Sequence, residues 1–222
     1  MVRPMAGEAG GPTVRGATGW RTAPLLIRAF VVLACMGIGL ARGVTFAGSP
    51  LPRLFHIEAG RSHVWFDADA PLHSFRGETR EMSGSFTLQH TAPLQISDAT
   101  VTIKAASLET GNSARDADMR QDFLEVERFP TIELRIVELL TTRPMADGTS
   151  WDVVLGVQLT VHGTTRNVPV PATVRLAAEG LTARGQVSLD MRDFRIRVPR
   201  ILLIPMSSEV RVGFDVVARP AE

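Results

Sequence analysis

The side chains best suited to chemistry in this sequence are an adjacent Arg115-Asp116 pair and five scattered histidines. The pair has two uses. As a tie at the start of a helical segment it is worth ~0–1 kcal/mol when exposed. At a cavity mouth, Arg115 would instead offer its bidentate fork to a carbonyl or phosphate group. Exposed pairs near helix starts are common, and the tie is the favoured reading. His56, His63, His73, His90 and His162 are dispersed, and none stands at a metal-ligand spacing from another. His162 precedes Gly163 and reads as a hairpin residue. His63 and His73 read as surface or partly buried side chains that could flank a mouth. Arg192, Arg195, Arg197 and Arg200 are interrupted by Phe194, Ile196 and Val198. That is the alternation of a solvated face, with a weak contact to an anionic membrane as the functional reading.

The familiar catalytic signatures are missing. No Gly-x-Ser-x-Gly, His-Glu-x-x-His, P-loop or dinucleotide fingerprint occurs after residue 50. Cys35 is the only cysteine, which leaves the rest of the chain without disulfide, thiolate nucleophile or zinc knuckle. A hydrolase is therefore the least favoured class. Residues 50–222 carry 19 basic and 22 acidic side chains, interspersed, with Lys104 the single lysine. Without a basic stripe, nucleic acid is not expected as a partner.

The first 48 residues read as a signal peptide or N-terminal anchor with a long lead, and residues 50–222 as the folded domain. Ala29 to Ala41 is a run of thirteen uncharged residues preceded by Arg21 and Arg28. It is shorter than the ~20 residues a spanning helix needs and suits an export signal. Thr45-Phe46-Ala47 supplies a small-residue cleavage site. The long lead suggests a true start at Met5 or later. Cys35 belongs to the apolar run, not to a lipoprotein box. The expected location is the periplasm, with membrane anchoring as the alternative.

The elements that must position these groups are strands. From Leu51 the apolar residues recur with period two almost to the end. Val64, Phe66 and Ala68 share one face, and so do Phe86 with Leu88 and Val101 with Ile103. Ile132, Leu134 and Ile136 follow, then Trp151 through Val161 on odd positions, Val168 through Leu176, Leu181 through Leu189, and Val210 through Val216. Pro169 and Pro171 fall on the outer face of their strand, which should lie at an edge or be bulged at its start. One stretch interrupts the pattern. Residues 109–137 open with a turn at Gly111-Asn112, become helix-like from about Ala114, and return to strand at Thr131. Met119 and Phe123, four apart, share a helical face. The fold class expected is all-β; strand pattern alone leaves a sandwich or a closed barrel open, and an antiparallel barrel of about eight strands with one short helical insert is the favoured form. Small inward residues (Ala68, Gly84, Ala183, Gly185) suggest unfilled interior space, and eight strands are just wide enough to hold one small ligand.

Several ordered motifs resemble the YceI-like, polyisoprenoid-binding family. They are Ser62-x-Val64-x-Phe66, Ser107-Leu108-x-Thr110, Asn112-x-x-Arg115-Asp116, and Asp122-Phe123-Leu124-x-Val126-x-x-Phe129-Pro130-x-Ile132. Gly156-x-x-Leu159-Thr160-x-His162-Gly163-x-Thr165-Arg166 and Asp193-Phe194 with Ile196 complete the set. The resemblance covers about Leu54 to Val217. This chain has Asp118 where the family often has His, and Arg195 where it often has Gly. The segment at Pro71–Phe75 and the apolar run Ile201–Met206 also depart from it. The resemblance implies a secreted lipocalin-like barrel around a long isoprenoid of the polyprenol or quinone type; the leading expectation is a non-enzymatic carrier with no covalent chemistry and no other cofactor.

The residues expected to line such a site are Phe66, Phe75, Phe86, Val101, Ile103, Arg115, Met119, Phe123, Leu134, Val153, Leu155, Val157, Phe194 and Phe214. On the alternative reading the barrel is filled and serves as a non-enzymatic interaction or stress-related partner in the envelope. Contact with a membrane surface or membrane cytochrome, and a homodimer, are further expectations.

Overall fold

Alternation with period two, unbroken by helix formers, drives most of this chain into antiparallel strands. The computed structural model describes residues 52–71, 73–201 and 204–221, all within one compact unit. The apolar run, the cleavage site and the boundary near residue 48 lie outside the described residues. The strands are β1 (Arg53–Ile57), β2 (His63–Asp69), β3 (Ser74–Thr79), β4 (Met82–Thr91), β5 (Leu94–Lys104), β6 (Thr131–Pro144), β7 (Ser150–Val161), β8 (Thr164–Ala177), β9 (Gly180–Asp190), β10 (Arg200–Ile201), β11 (Ile204–Pro205) and β12 (Glu209–Pro220). One helix, α1 (Ser113–Asp118), continues into a π turn at Met119–Phe123.

Eight strands close a barrel in the order β1-β4-β5-β6-β7-β8-β9-β12, with β12 bonding back to β1. Closure removes the free edges that an open sheet would expose. The expectation of an eight-strand antiparallel barrel with one short helical insert is met, with two additions. β2 and β3 extend the sheet beyond the ring, and β10–β11 form a two-residue ribbon of their own.

β12 changes partner along its length. Val210–Asp215 pair with β2 and Ala218–Pro220 with β1. β1 and β2 are thus one strand broken by a 3-10 turn at Ala59–Arg61. Ser62 repairs the ladder at the break. Its fully buried hydroxyl donates to the Val217 carbonyl at 3.3 Å and accepts from the Val217 amide at 3.0 Å. With β3 and β4 paired alongside, residues 53–91 make a long bent hairpin.

The prolines of β8 sit where the ladder permits them. β7 pairs with β8 throughout, but β9 joins only from Ala172 onward. Pro169 and Pro171 therefore occupy the half of the strand that is bonded on one side. Two bulges in the β6–β7 ladder, after Ile136 and after Leu139, break the alternation read from sequence. They leave Val137 and Leu140 about half exposed.

The two ends of the barrel differ. Short turns connect β4 to β5, β6 to β7 and β8 to β9 at one end. There Phe55, Leu88, Leu94, Trp151, Leu181 and Ala218 are buried in a single cluster. The long connections, residues 105–130 and 191–208, lie at the other end.

Candidate functional site

A cavity of about 670 Å³ occupies the barrel, within the range of small-molecule sites. Its walls come from every ring strand and from β2 and β3. The apolar rows on β9 and β12, such as Val187, Leu189, Val212, Phe214 and Val216, face inward yet are only partly buried. They border space, whereas Leu155, Val157 and Leu159 on β7 combine cavity lining with a tightly packed wall.

Thirteen of the fourteen residues singled out from sequence line this space: Phe66, Phe75, Phe86, Val101, Ile103, Arg115, Met119, Phe123, Leu134, Leu155, Val157, Phe194 and Phe214. Val153 does not. It is 3% exposed and packed into the buried cluster, so its alternation with Leu155 marks core and not cavity. The small inward residues also divide. Ala68 and Ala183 border the cavity. Gly84 and Gly185 leave no room for a ligand, because neighbours already use the space. A β-carbon at 185 would lie 2.6 Å from the Phe214 ring and 2.4 Å from the Pro171 carbonyl; one at 84 would meet the Thr100 carbonyl at 2.3 Å and Ile57 at 2.9 Å.

The insert closes one end. Asn112 caps α1, its side-chain oxygen accepting from the amides of Ala114 and Arg115 at 3.1 Å each. Met119 and Phe123 both face the cavity, as their spacing predicts. Leu124, absent from the sequence-based set, joins them. The Leu124 amide donates to the Met119 carbonyl at 2.8 Å, and this wider π turn brings a residue five positions on toward the same side. An i, i+4 pattern carries no signal for that. Trp65, Leu189 and Ile196 were also missed as lining residues: the alternation of Leu189 was visible but not that its row borders space, alternation set Trp65 on the face opposite Phe66, and Ile196, read as part of an alternating run, lies outside any strand.

Arg115 and Asp116 do not pair with each other in the manner of a simple ion pair. Both converge on Thr110. Arg115 donates through Nε to the Thr110 hydroxyl at 2.7 Å and through Nη2 to its carbonyl at 3.0 Å. The buried Asp116 carboxylate accepts from the Thr110 amide at 2.8 Å and hydroxyl at 2.6 Å. The Arg115 guanidinium also lies 4.2 Å over the Phe75 ring centroid, a cation–π contact. The pair therefore ties the insert to β3 and to the segment before α1. Arg115 also lines the cavity, as do His73, Asn112, Asp118 and Arg200.

A second tie holds the far end of the insert. His162 Nε2 lies 3.0 Å from Glu125 Oε1, and its ring meets Phe129 edge-on with centroids 4.6 Å apart. Gly163, at φ +65°, turns the β7–β8 hairpin and admits the Phe129 ring, which a β-carbon would meet at 2.4 Å. His162 is thus a hairpin residue, as read from sequence. His63 pairs with Glu78 at 3.0 Å on the outer surface. Among the described residues no three His, Cys, Asp or Glu side chains gather as a metal site.

The arrangement can bury an elongated apolar molecule. Polar groups are few along its length and collect at the insert end. Water is a poor occupant of such a space, since each molecule needs two to four polar partners.

Comparison with known proteins follows the geometry. The chain resembles BcnA of Burkholderia cenocepacia, with a TM-score of 0.60 and 20% identity over 72% of this chain and 98% of that one. A polyisoprenoid-binding domain from Saccharophagus degradans, implicated in plant cell wall breakdown, gives a TM-score of 0.57 and 15% identity over 75% and 98%. The Campylobacter jejuni YceI protein gives 0.52 and 19% over 66% and 84%. No curated protein matches the sequence. The YceI-like domain family matches residues 55–218, and the chain belongs to that family.

Proposed function

We propose that this protein binds the chain of an isoprenoid lipid, of the polyprenol or quinone type, inside the barrel and carries it through the periplasm. The observation that carries this reading is the cavity of about 670 Å³ with apolar walls and polar groups gathered at one end. Binding would rest on area burial, at ~25 cal/mol per Å² of apolar surface. No covalent step is needed. The fold is shared with a polyisoprenoid-binding domain, which supports the ligand class. A barrel filled by its own side chains, the alternative read from sequence, does not accommodate a space of this size.

The test is direct. Protein purified without detergent is extracted with organic solvent and analysed by mass spectrometry, and refolded lipid-free protein is melted with and without added polyprenol and ubiquinone. A recovered isoprenoid and a raised melting temperature are expected. An empty extract with no thermal shift from either lipid overturns the reading.

A further inference from the structure

The barrel is not zipped evenly around its ring. β4 pairs with β5 as far as Thr91 and Leu94, and β6 with β7 as far as Pro144 and Trp151. Between β5 and β6 the ladder runs only from Lys104 opposite Thr131 to Thr100 opposite Arg135. Beyond that rung, residues 94–99 and 136–144 border a seam. Both strands lose regularity at this level. Asp98 takes φ 52° where the β4–β5 register shifts, and β6 bulges after Ile136 and again after Leu139. A bulge bends its strand and disrupts the ladder, and bulges on both strands at one level end the pairing. The β8–β9 ladder is also partial, joining 172–177 to 180–185. There, however, the turn Met191–Phe194 packs on β8, with Phe194 only 3% exposed.

The β5–β6 seam is apolar through the thickness of the wall. Ile96 and Ala99 on one lip, and Ile136 and Leu139 on the other, line the cavity. After each bulge of β6 the next residue is turned outward: Val137 is 49% exposed and Leu140 50%. Inward and outward apolar side chains therefore adjoin twice, where regular alternation would put a polar residue outside. The seam lies in the half of the barrel nearer the buried cluster of Phe55 and Trp151, away from the polar groups at the insert end. A ligand with its head group at the insert end would point its far end here.

We propose that the far end of the bound chain passes out between β5 and β6 and rests against Val137 and Leu140. This rests on the isoprenoid reading and assigns its length class. A cavity shut at both ends fixes the longest chain it can hold, whereas a seam in the wall lets the barrel take long prenols whose chains exceed its volume. Two observations favour the ligand's own chain over an added protein strand as the occupant. The lips continue the cavity lining from inside to outside, and the bulges distort the edge that an added strand would have to follow.

The test uses the full chain and two prenols delivered from cyclodextrin, short farnesol and long solanesol. Cys35→Ser removes the native thiol, and Leu140→Cys or, on the outer wall of β1, the exposed Leu54→Cys carries an environment-sensitive fluorophore. Both prenols should raise the melting temperature of the unlabelled protein. Solanesol should blue-shift the probe at 140 and farnesol should not, and the probe at 54 should respond to neither. Leu140→Glu, a surface change, should weaken solanesol binding roughly five- to tenfold, as expected for losing part of one leucine's burial, and weaken farnesol binding far less. Four results overturn the seam and leave the isoprenoid reading standing: farnesol bound but not solanesol, solanesol bound with the probe at 140 unmoved, equal shifts at 140 and 54, or equal effects of Leu140→Glu on both prenols. A probe at 140 that is already blue-shifted without lipid, in step with dimerisation in sedimentation, overturns it too and gives the edge to a second copy of the chain. If neither prenol binds the unlabelled protein, the isoprenoid reading falls and the seam assignment with it.

Discussion

Replacing Ala183 with leucine sets an open cavity against a packed core with opposite signs. Ala183 lies on β9 opposite Val174 and Val216, and it borders the cavity while remaining only partly buried. Leucine adds three carbons. If they enter apolar space, their transfer is worth about 2.4 kcal/mol at ~0.8 per methylene. Ordering the longer side chain costs about 0.5–1 kcal/mol. A net gain of about 1.5 kcal/mol is expected, which is roughly 3–6 °C in melting temperature for a domain of this size. If the position is instead packed shut, overfilling costs about 1–3 kcal/mol. The assay is urea unfolding of lipid-free, refolded protein, followed by tryptophan fluorescence, in parallel with polyprenol titration. The leucine variant should be more stable and bind the lipid more weakly, because the same space cannot hold both. A variant that unfolds at lower urea and binds polyprenol as well as the parent protein refutes the cavity at this point of the barrel.

Three further outcomes follow from the local geometry. Arg115→Met removes two hydrogen bonds to Thr110 and the contact over Phe75, and should lower stability by about 2 kcal/mol, measured by urea unfolding. Arg195 ends the turn after β9 in the left-handed region at φ 59°; Arg195→Gly should therefore raise stability by about 0.5–1 kcal/mol, relief of strain outweighing the added chain entropy. Acid should weaken the fold through Asp190, Asp67 and Asp147. Hydrogen bonds from Arg192, Arg76 and Ser150 respectively hold these carboxyls below the ordinary range. Their contribution is complete above the unfolded carboxylate value near 3.8 and is lost as pH falls through the lower folded values. Unfolding free energy should decline from about pH 5 downward, and more shallowly in Asp190→Asn.

Much of the barrel was legible because a pleated strand writes its two faces into alternate residues. Trp151 to Val161 showed which side of β7 is buried, and His162-Gly163 marked the β7–β8 hairpin. Local chemistry was legible in the same way at His162-Gly163, which turns as read, whereas Asn112, read as a turn residue, also caps α1. The bulges in β6 were not, because an extra residue changes nothing in composition. It moves Val137 and Leu140 to the surface only once the partner strand is in place. The roles of Arg115 and Asp116 were only half legible. Their adjacency suggested a pair, whereas the shared partner, Thr110, depends on how the segment before α1 folds back.

The sequence by itself determined that this chain makes antiparallel strands with apolar inner rows and a short insert, since both periods and turns are properties of neighbouring residues; closure into a barrel and not a sandwich rests on β12 bonding back to β1. The tertiary structure decided which of those apolar residues surround space. Val153 and Leu155 are two residues apart on one face of one strand, yet one is packed core and the other lines the cavity. Gly185 appeared to leave room, and Phe214 from β12 takes it. Volume is a sum over strands distant in sequence, so no single stretch of residues can specify it.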